Sequence, residues 1–487
     1  MNQDQATTAK HTRLAELSAE QSLLEIQKAE LLRQSDLVEA SLRRIAVETA
    51  EFSPLYTLPI DVLMDILEVA YEHTPHDRRC AIEQNPMIPA QVCRRWRRAA
   101  LALPRLWSCL HVNCSAELLA LWLARSGSLP LRIICAGKDV EARRTGAGMT
   151  AAQSAPWTAS YLQGLTNLMQ HASRWQHFDI ETSHSVFLQT VLEVMGGNYF
   201  PALEYLAVWH AGHAQNISSR SSLLSCCPRL TELALLRLDA PFSIFTPLRH
   251  LSELYLGCRS FTSWQLSQLA KALPELVELT LDQVTEAWSP NGVEHTAVFP
   301  SLKTLFFQLT DWEDIFYWME APMLETMSCD QGPLWAEPPQ RANLSRVFPR
   351  LRELRLPRSS PQPDGDGHLF RTMPNLRYLD LGKCHGAFYC VLSCLTRDED
   401  LLPHLEILTL TEGAEEPHGI LLQFLDGRRR AERPLKEVRL GRELHALPLW
   451  DICGMRRMVK VTCLMEEEDL VSPVEPVEGQ TSGVAYW

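Results

Sequence analysis

The sequence lacks the short signatures of the common enzyme classes. It contains no G-x-x-x-x-G-K-[ST], no G-x-G-x-x-G, no G-x-S-x-G and no H-E-x-x-H. That removes the phosphate-cradling loop, the dinucleotide turn, the nucleophile elbow and the zinc-protease helix. No two of the 14 Cys are spaced C-x-x-C; Cys226 adjoins Cys227, and Cys390 lies four residues before Cys394. Neither spacing builds a zinc framework. The thiols are expected to behave as small buried hydrophobes in a reducing compartment. No apolar run reaches the ~20 residues that cross a bilayer. The opening MNQDQATTAK carries no apolar signal core. These readings place the chain in the cytosol or nucleus, with no membrane partner, no cofactor and no metal. The N-x-S/T matches at Asn113, Asn216 and Asn343 therefore carry little weight.

Positive charge is also in deficit. Lys and Arg number 46 against 59 Asp and Glu, leaving −13. A net acidic chain argues against a nucleic-acid partner. One basic stretch, QVCRRWRRAAL at 91 to 101, still interleaves Arg with Trp. With 487 residues the chain exceeds one core, so several domains or an elongated array are expected.

Residues 11 to 50 are polar, nearly free of Gly and Pro, and helix-prone. Leu14, Leu17, Leu24, Leu31, Val38, Leu42 and Ile45 fall on a and d positions of one heptad frame, while Gln21, Lys28 and Ser35 hold other a positions. A 3.5-residue period favours a coiled-coil seam. The other reading is a single amphipathic helix lying on the body of its own chain.

Residues 51 to 106 read as two helices. Pro59 suits a first helical turn, where its missing N–H costs nothing. Val62, Leu63, Ile66, Leu67 and Ala70 then form a one-sided apolar stripe. Residues 72 to 86, EHTPHDRRCAIEQNP, read as a loop. Pro89 opens the second helix and Pro104 stops it. Val92, Trp96, Ala99 and Leu103 are expected on one packing face, with Arg94, Arg95, Arg97 and Arg98 mostly solvated.

Residues 107 to 463 carry a repeat, P-x-L-x-x-L-x-L. Clear copies start at Pro201, Pro228, Pro274, Pro300, Pro349, Pro374 and Pro403; looser ones end at Leu256 and start at Pro322 and Pro434. The first Leu of each copy falls at 203, 230, 251, 276, 302, 324, 351, 376, 405 and 435, a spacing of 21 to 30 residues. One copy is weak evidence, and ten in register are strong. The last two Leu alternate as on a strand and point to one side. A single unit cannot bury that face, so neighbours stack into a solenoid. The residues between the paired Leu face the other way, onto a concave sheet: Ala207, Ala234, Tyr255, Thr280, Phe306, Ser328, Arg355, Asp380, Thr409 and Arg439. Tyr255, Thr280, Phe306, Arg355, Asp380, Thr409 and Arg439 are the candidate partner-binding residues. WSCLHV (107 to 112), LPLRIIC (129 to 135) and RWQHFDIE (174 to 181) read as strands of irregular early coils, with SAELLALWLARSG as the helix between the first two.

The remaining signals are weak. His210 and His213 in WHAGH read as two loop histidines rather than a metal pair. GRRRAER, from Gly427, reads as a solvated basic loop. Asp61 and Asp65 sit near a helix start, where they favour its dipole. Residues 464 to 487 hold six acids and no Lys or Arg, the composition of a disordered acidic tail.

LPIDVLMDIL (58 to 67), QVCRRWRRAAL (91 to 101) and PRLWSCLHV (104 to 112) resemble an F-box-like domain of the kind followed by leucine-rich repeats. With the repeats, the resemblance covers roughly residues 52 to 460. It implies an α/β repeat fold: a small all-α F-box-like domain, then a leucine-rich-repeat horseshoe, behind an N-terminal helix. It also implies a role without catalysis. Such proteins dock on a Skp-type adaptor, and through it a cullin–RING ubiquitin ligase, while the second domain holds a protein substrate. The implied adaptor-facing residues are Leu58, Pro59, Val62, Leu63, Ile66, Leu67, Val92, Cys93 and Trp96. The rival reading is an interaction scaffold outside any ligase, its F-box-like helices acting as the cap a solenoid needs.

Overall fold

The computed structural model describes residues 2–51, 58–73, 87–112, 114–136, 162–182, 184–210, 215–216, 223–239, 242–257, 260–286, 296–309, 319–330, 348–356, 370, 373–382, 387–398, 400–410, 418–441 and 455–463. The chain divides into two units at Leu106/Trp107.

The first unit holds four helices among the described residues: α1 (Asn2–Glu51), α2 (Ile60–His73), α3 (Met87–Val92) and α4 (Arg94–Ala102). Every α1 side chain described, from residue 20 to 45, is exposed. Pro59 precedes α2, and its carbonyl accepts the Leu63 N–H at 3.1 Å. Cys93 breaks the second helix in two, with extended backbone at φ −158° and ψ 173°. Val92 is thus not on one continuous face with Trp96, Ala99 and Leu103, as the spacing predicts. Ala99, Ala100 and Leu103 are buried, Trp96 is half-buried and Val92 is exposed. Leu103 ends α4 in extended backbone, as a residue before proline must.

The second unit is a repeat solenoid built on one sheet. Fourteen described strands follow one another in chain order, each hydrogen-bonded to the next. They are β1 (Cys109–His111), β2 (Leu131–Ala136), β3 (Trp175–Thr182), β4 (Tyr205–His210), β5 (Glu232–Leu236), β6 (Glu253–Gly257) and β7 (Glu278–Glu286). Then come β8 (Thr304–Leu309), β9 (Thr326–Asp330), β10 (Glu353–Arg355), β11 (Tyr378–Leu381), β12 (Ile407–Leu410), β13 (Glu437–Leu440) and β14 (Lys460–Cys463). Their pairings are parallel throughout. The segments read as early coils supply β1, β2 and β3. Between the first two stands α5 (Ala116–Ser126), capped by the Ser115 hydroxyl accepting from Leu118 N–H.

Each feature of the repeat has a physical role. The N–H of the first Leu reaches back three residues, from Leu230 to Cys227 (3.2 Å), Leu351 to Phe348 (3.2 Å) and Leu405 to Leu402 (3.1 Å). Proline occupies the second position of these turns, where its fixed φ is already correct. The next residues lock copy to copy. One carbonyl accepts two successive N–H groups of the following repeat, as Glu204 does from Thr231 (2.9 Å) and Glu232 (3.0 Å). All ten first-position leucines are buried. The two alternating strand positions form continuous columns behind the sheet, Leu233–Leu254–Leu279–Leu305 among them, in register across the pairings.

Further helices fill the same core: α6 (Ser185–Gly196), α7 (Ser263–Ala272), α8 (Ala387–Arg397) and α9 (His418–Arg430). Trp107 and Trp122 meet edge-on at 6.3 Å, and Trp175 packs on Phe178 and Phe200 at 5.3 and 5.2 Å.

Candidate interaction surfaces

In the helical unit, α2 carries apolar residues on two faces. Leu63 (0% exposed) and Leu67 face inward, where Ala90, Ala99, Ala100 and Leu103 are also buried. Both leucines belong to the core, not to an open docking face. The outer stripe is Val62 (37%), Ile66 (40%) and Val69 (53%), spaced four and three residues apart. Pro59 is exposed before it, and Leu58 is half-buried. On the second helix pair Ile88 and Val92 are exposed, while Cys93 and Trp96 are half-buried. The Arg face is not wholly solvated: Arg97 donates to the Ala90 carbonyl at 2.8 Å and ties α4 to α3. Arg105 pairs with Glu68 on α2 at 2.7 Å. The loop read at 72 to 86 lies, from 74 onward, outside the described residues.

In the second unit, the ten residues assigned to the sheet's open face stand in register. Ala207, Ala234, Tyr255, Thr280, Phe306, Ser328, Arg355, Asp380, Thr409 and Arg439 are partners on successive strands. They are not equally accessible. Thr280 and Thr409 are buried, so neither offers the contact expected of it. The Thr409 hydroxyl is taken up by Tyr378, donating to its Oη at 3.0 Å. Tyr255 donates to Asp282 Oδ2 at 2.8 Å. On β4 to β6 the face carries an apolar cluster: Ala207, Trp209 and Leu236 are buried, with Tyr205, Ala234 and Tyr255 packed against them.

A second row on this face lies two residues earlier on each strand. In L-x-x-L-x-L it is the residue just before the second Leu, and the same two-residue alternation points to it. Glu232, Glu253 and Glu278 stand side by side in this row. Burial pushes the Glu232 and Glu278 carboxyls above the usual range, and the neighbouring carboxylates push further. On the late strands the row interlocks with the first. Arg355 pairs with Glu353 (2.7 Å) and Arg439 with Glu437 (3.3 Å), each two residues away on its own strand. Both guanidiniums approach the Tyr378 ring, at 6.0 and 5.8 Å from its centre. Burial favours neutral Arg355, but Glu353 overrides it and holds the group above its ordinary value.

The basic cluster at Gly427 is not a solvated loop. It ends α9, and Arg428 is buried. Its guanidinium donates to the carbonyls of Arg433 (2.9 Å), Leu402 (2.8 Å), Leu405 (3.2 Å), Leu401 (3.4 Å) and Pro403 (3.4 Å). Leu402 lies in the left-handed region at φ 48°, and Arg428 satisfies the carbonyls of that sharp turn. Burial lowers its pKa to about 10, with Arg433 adding to the effect. His210 is buried at the end of β4, and His213 lies outside the described residues. Among the described residues no group of His, Cys, Asp and Glu has a metal-binding arrangement. No described helix is long and apolar enough to cross a membrane. Burial pushes the Cys227 thiol up to about 12, an unreactive state. The acidic tail lies outside the described residues.

No family model matches the sequence, and no curated protein sequence matches it either. Solved structures do. TLR13, in its complex with ssRNA13, shares 16% identity at a TM-score of 0.35, over 55% of this chain and 38% of that one. This chain thus spans well under half of the TLR13 chain it matches. A leucine-rich-repeat protein of Leptospira interrogans shares 13% identity at a TM-score of 0.30, over 63% of this chain and 95% of that one.

Proposed function

We propose that this protein is the non-catalytic substrate receptor of a Skp–cullin–F-box ubiquitin ligase. The helical unit docks the Skp-type adaptor, and the sheet's open face holds a protein substrate. Other subunits transfer the ubiquitin. The observation that supports this reading best is the outer stripe Val62, Ile66 and Val69. These side chains stay exposed although the same helix buries Leu63 and Leu67. A helix that keeps an apolar stripe outside its own core is suited to a protein partner. Burying each such side chain contributes roughly 1.5–3 kcal/mol before association costs. On the open face, the accessible members Tyr255, Phe306, Arg355, Asp380 and Arg439 are the substrate contacts, with Glu232, Glu253, Glu278 and Tyr378 beside them.

The test is capture of the Skp-type adaptor and cullin by the full chain. The Val62→Glu, Ile66→Glu double variant should lose capture while keeping its circular dichroism, since both residues are exposed. Leu63→Ala should instead lower stability. Wild type that captures neither protein, where a control F-box protein captures both, sinks the ligase reading. The scaffold reading, with the helices as a cap, would then stand.

A further inference from the structure

The helix α1 is 50 residues long, which at 1.5 Å per residue is about 75 Å. Long helices owe most of their stability to burial of an apolar face. None of the α1 side chains described finds such burial. Leu24, Leu31, Val38, Leu42 and Ile45 are 53–66% exposed. Within the helix, Gln21 bonds Glu25, Gln34 bonds Glu30, and Arg33 pairs with Glu30. Pairs one turn apart support a helix only weakly. Over the described side chains, 20 to 45, the apolar seam is exposed.

We propose that α1 pairs with α1 of a second copy of this chain, as a parallel two-stranded coiled coil. The seam itself argues for this occupant. Leu24, Leu31, Val38 and Ile45 repeat every seven residues, while the intervening row holds Gln21, Lys28, Ser35 and Leu42. In a parallel pair of copies each layer meets its own kind. Leucines stack on leucines, Gln21 meets Gln21, and Ser35 meets Ser35, so amide and hydroxyl find hydrogen-bonding partners. An antiparallel pair mixes the two rows and sets apolar residues against Gln21, Lys28 and Ser35. The Lys28 layer is a cost in stability that fixes register, as single polar a positions do.

The area is consistent with a modest dimer. Each large aliphatic side chain removed from water buries on the order of 60–120 Å². Five from each copy bury roughly 600–1,200 Å², and Leu32 alongside adds to that. A stable interface needs about 1,200–2,000 Å². Dimerisation is therefore expected to depend on concentration.

Sedimentation equilibrium of the full chain tests the pairing. The mass should approach twice 55.3 kDa as concentration rises. Leu31→Glu with Val38→Glu should return it to 55.3 kDa at every concentration, with adaptor capture unchanged. Wild type that stays monomeric, a mass of three or more copies, or a dimer untouched by the double variant overturns the proposal. A photo-crosslinking residue at position 24 reads the orientation. Links to residues near 24 of the second copy support the parallel form, and links near 45 overturn it. Because both substitutions fall on exposed positions, unchanged thermal melting separates lost pairing from lost folding.

Discussion

Two stretches of the same sheet carry opposite kinds of charge arrangement. On β5, β6 and β7, Glu232, Glu253 and Glu278 stand in a row, where burial and then the Glu253 carboxylate raise the proton affinity of Glu232 and Glu278. On β10 to β13 the same row is neutralised by the next: Glu353 holds Arg355, Glu437 holds Arg439, and Tyr378 lies between the guanidiniums. The backbone pairing and the leucine columns behind both stretches are alike. The frame is therefore indifferent to charge on the open face. Like charges directly opposite are destabilising, so the early strands tolerate a local cost that the late strands avoid.

The largest expected effect lies behind the late strands. Arg428→Ala should cost about 3 kcal/mol, because it strands several buried carbonyls at once. Chemical denaturation measures it, and a loss under 1 kcal/mol would show that water replaces the guanidinium. Next is Tyr378→Phe, which removes the acceptor for the buried Thr409 hydroxyl. A loss of about 1 kcal/mol is expected, and Thr409→Val on the same background should recover part of it.

The smallest effects have opposite signs in the two stretches. Glu253→Gln should stabilise at neutral pH by about 0.2–1 kcal/mol, whereas Glu353→Gln should destabilise by up to about 1 kcal/mol through loss of its Arg355 pair. The pH dependence follows from the raised folded-state carboxyls of Glu232 and Glu278. A raised pKa makes their stability contribution present in acid and lost as pH rises through the folded value. The gain from Glu253→Gln should therefore be seen above that value and shrink as pH falls toward the ordinary carboxyl range. Thermal melts from pH 4 to 8 would check it; a gain independent of pH would rule out charge repulsion as the cause.

Much of the second unit could be read from residues close in sequence. Proline pre-forms the turn, the first Leu closes it, and alternation assigns the next two to the core. Those are local properties, and ten repetitions make them unambiguous. The second row on the open face follows from the same alternation, two residues before the first in each repeat.

Other features depend on residues far apart in the chain. Val62 and Leu63 are adjacent and equally apolar, and only the packing of α4 against α2 makes one core and the other surface. Spacing alone joins Val92 to Trp96, and the extended backbone at Cys93 separates them. Three consecutive arginines look alike in GRRRAER, but the turn at Leu402 buries Arg428 among its carbonyls. Composition and period therefore specified the solenoid, its turns and its leucine columns, because each repeat states them again within eight residues. Burial, by contrast, is a property of neighbours brought together by folding. It assigned the outer face of α2, the covering of Thr280 and Thr409, and the role of Arg428.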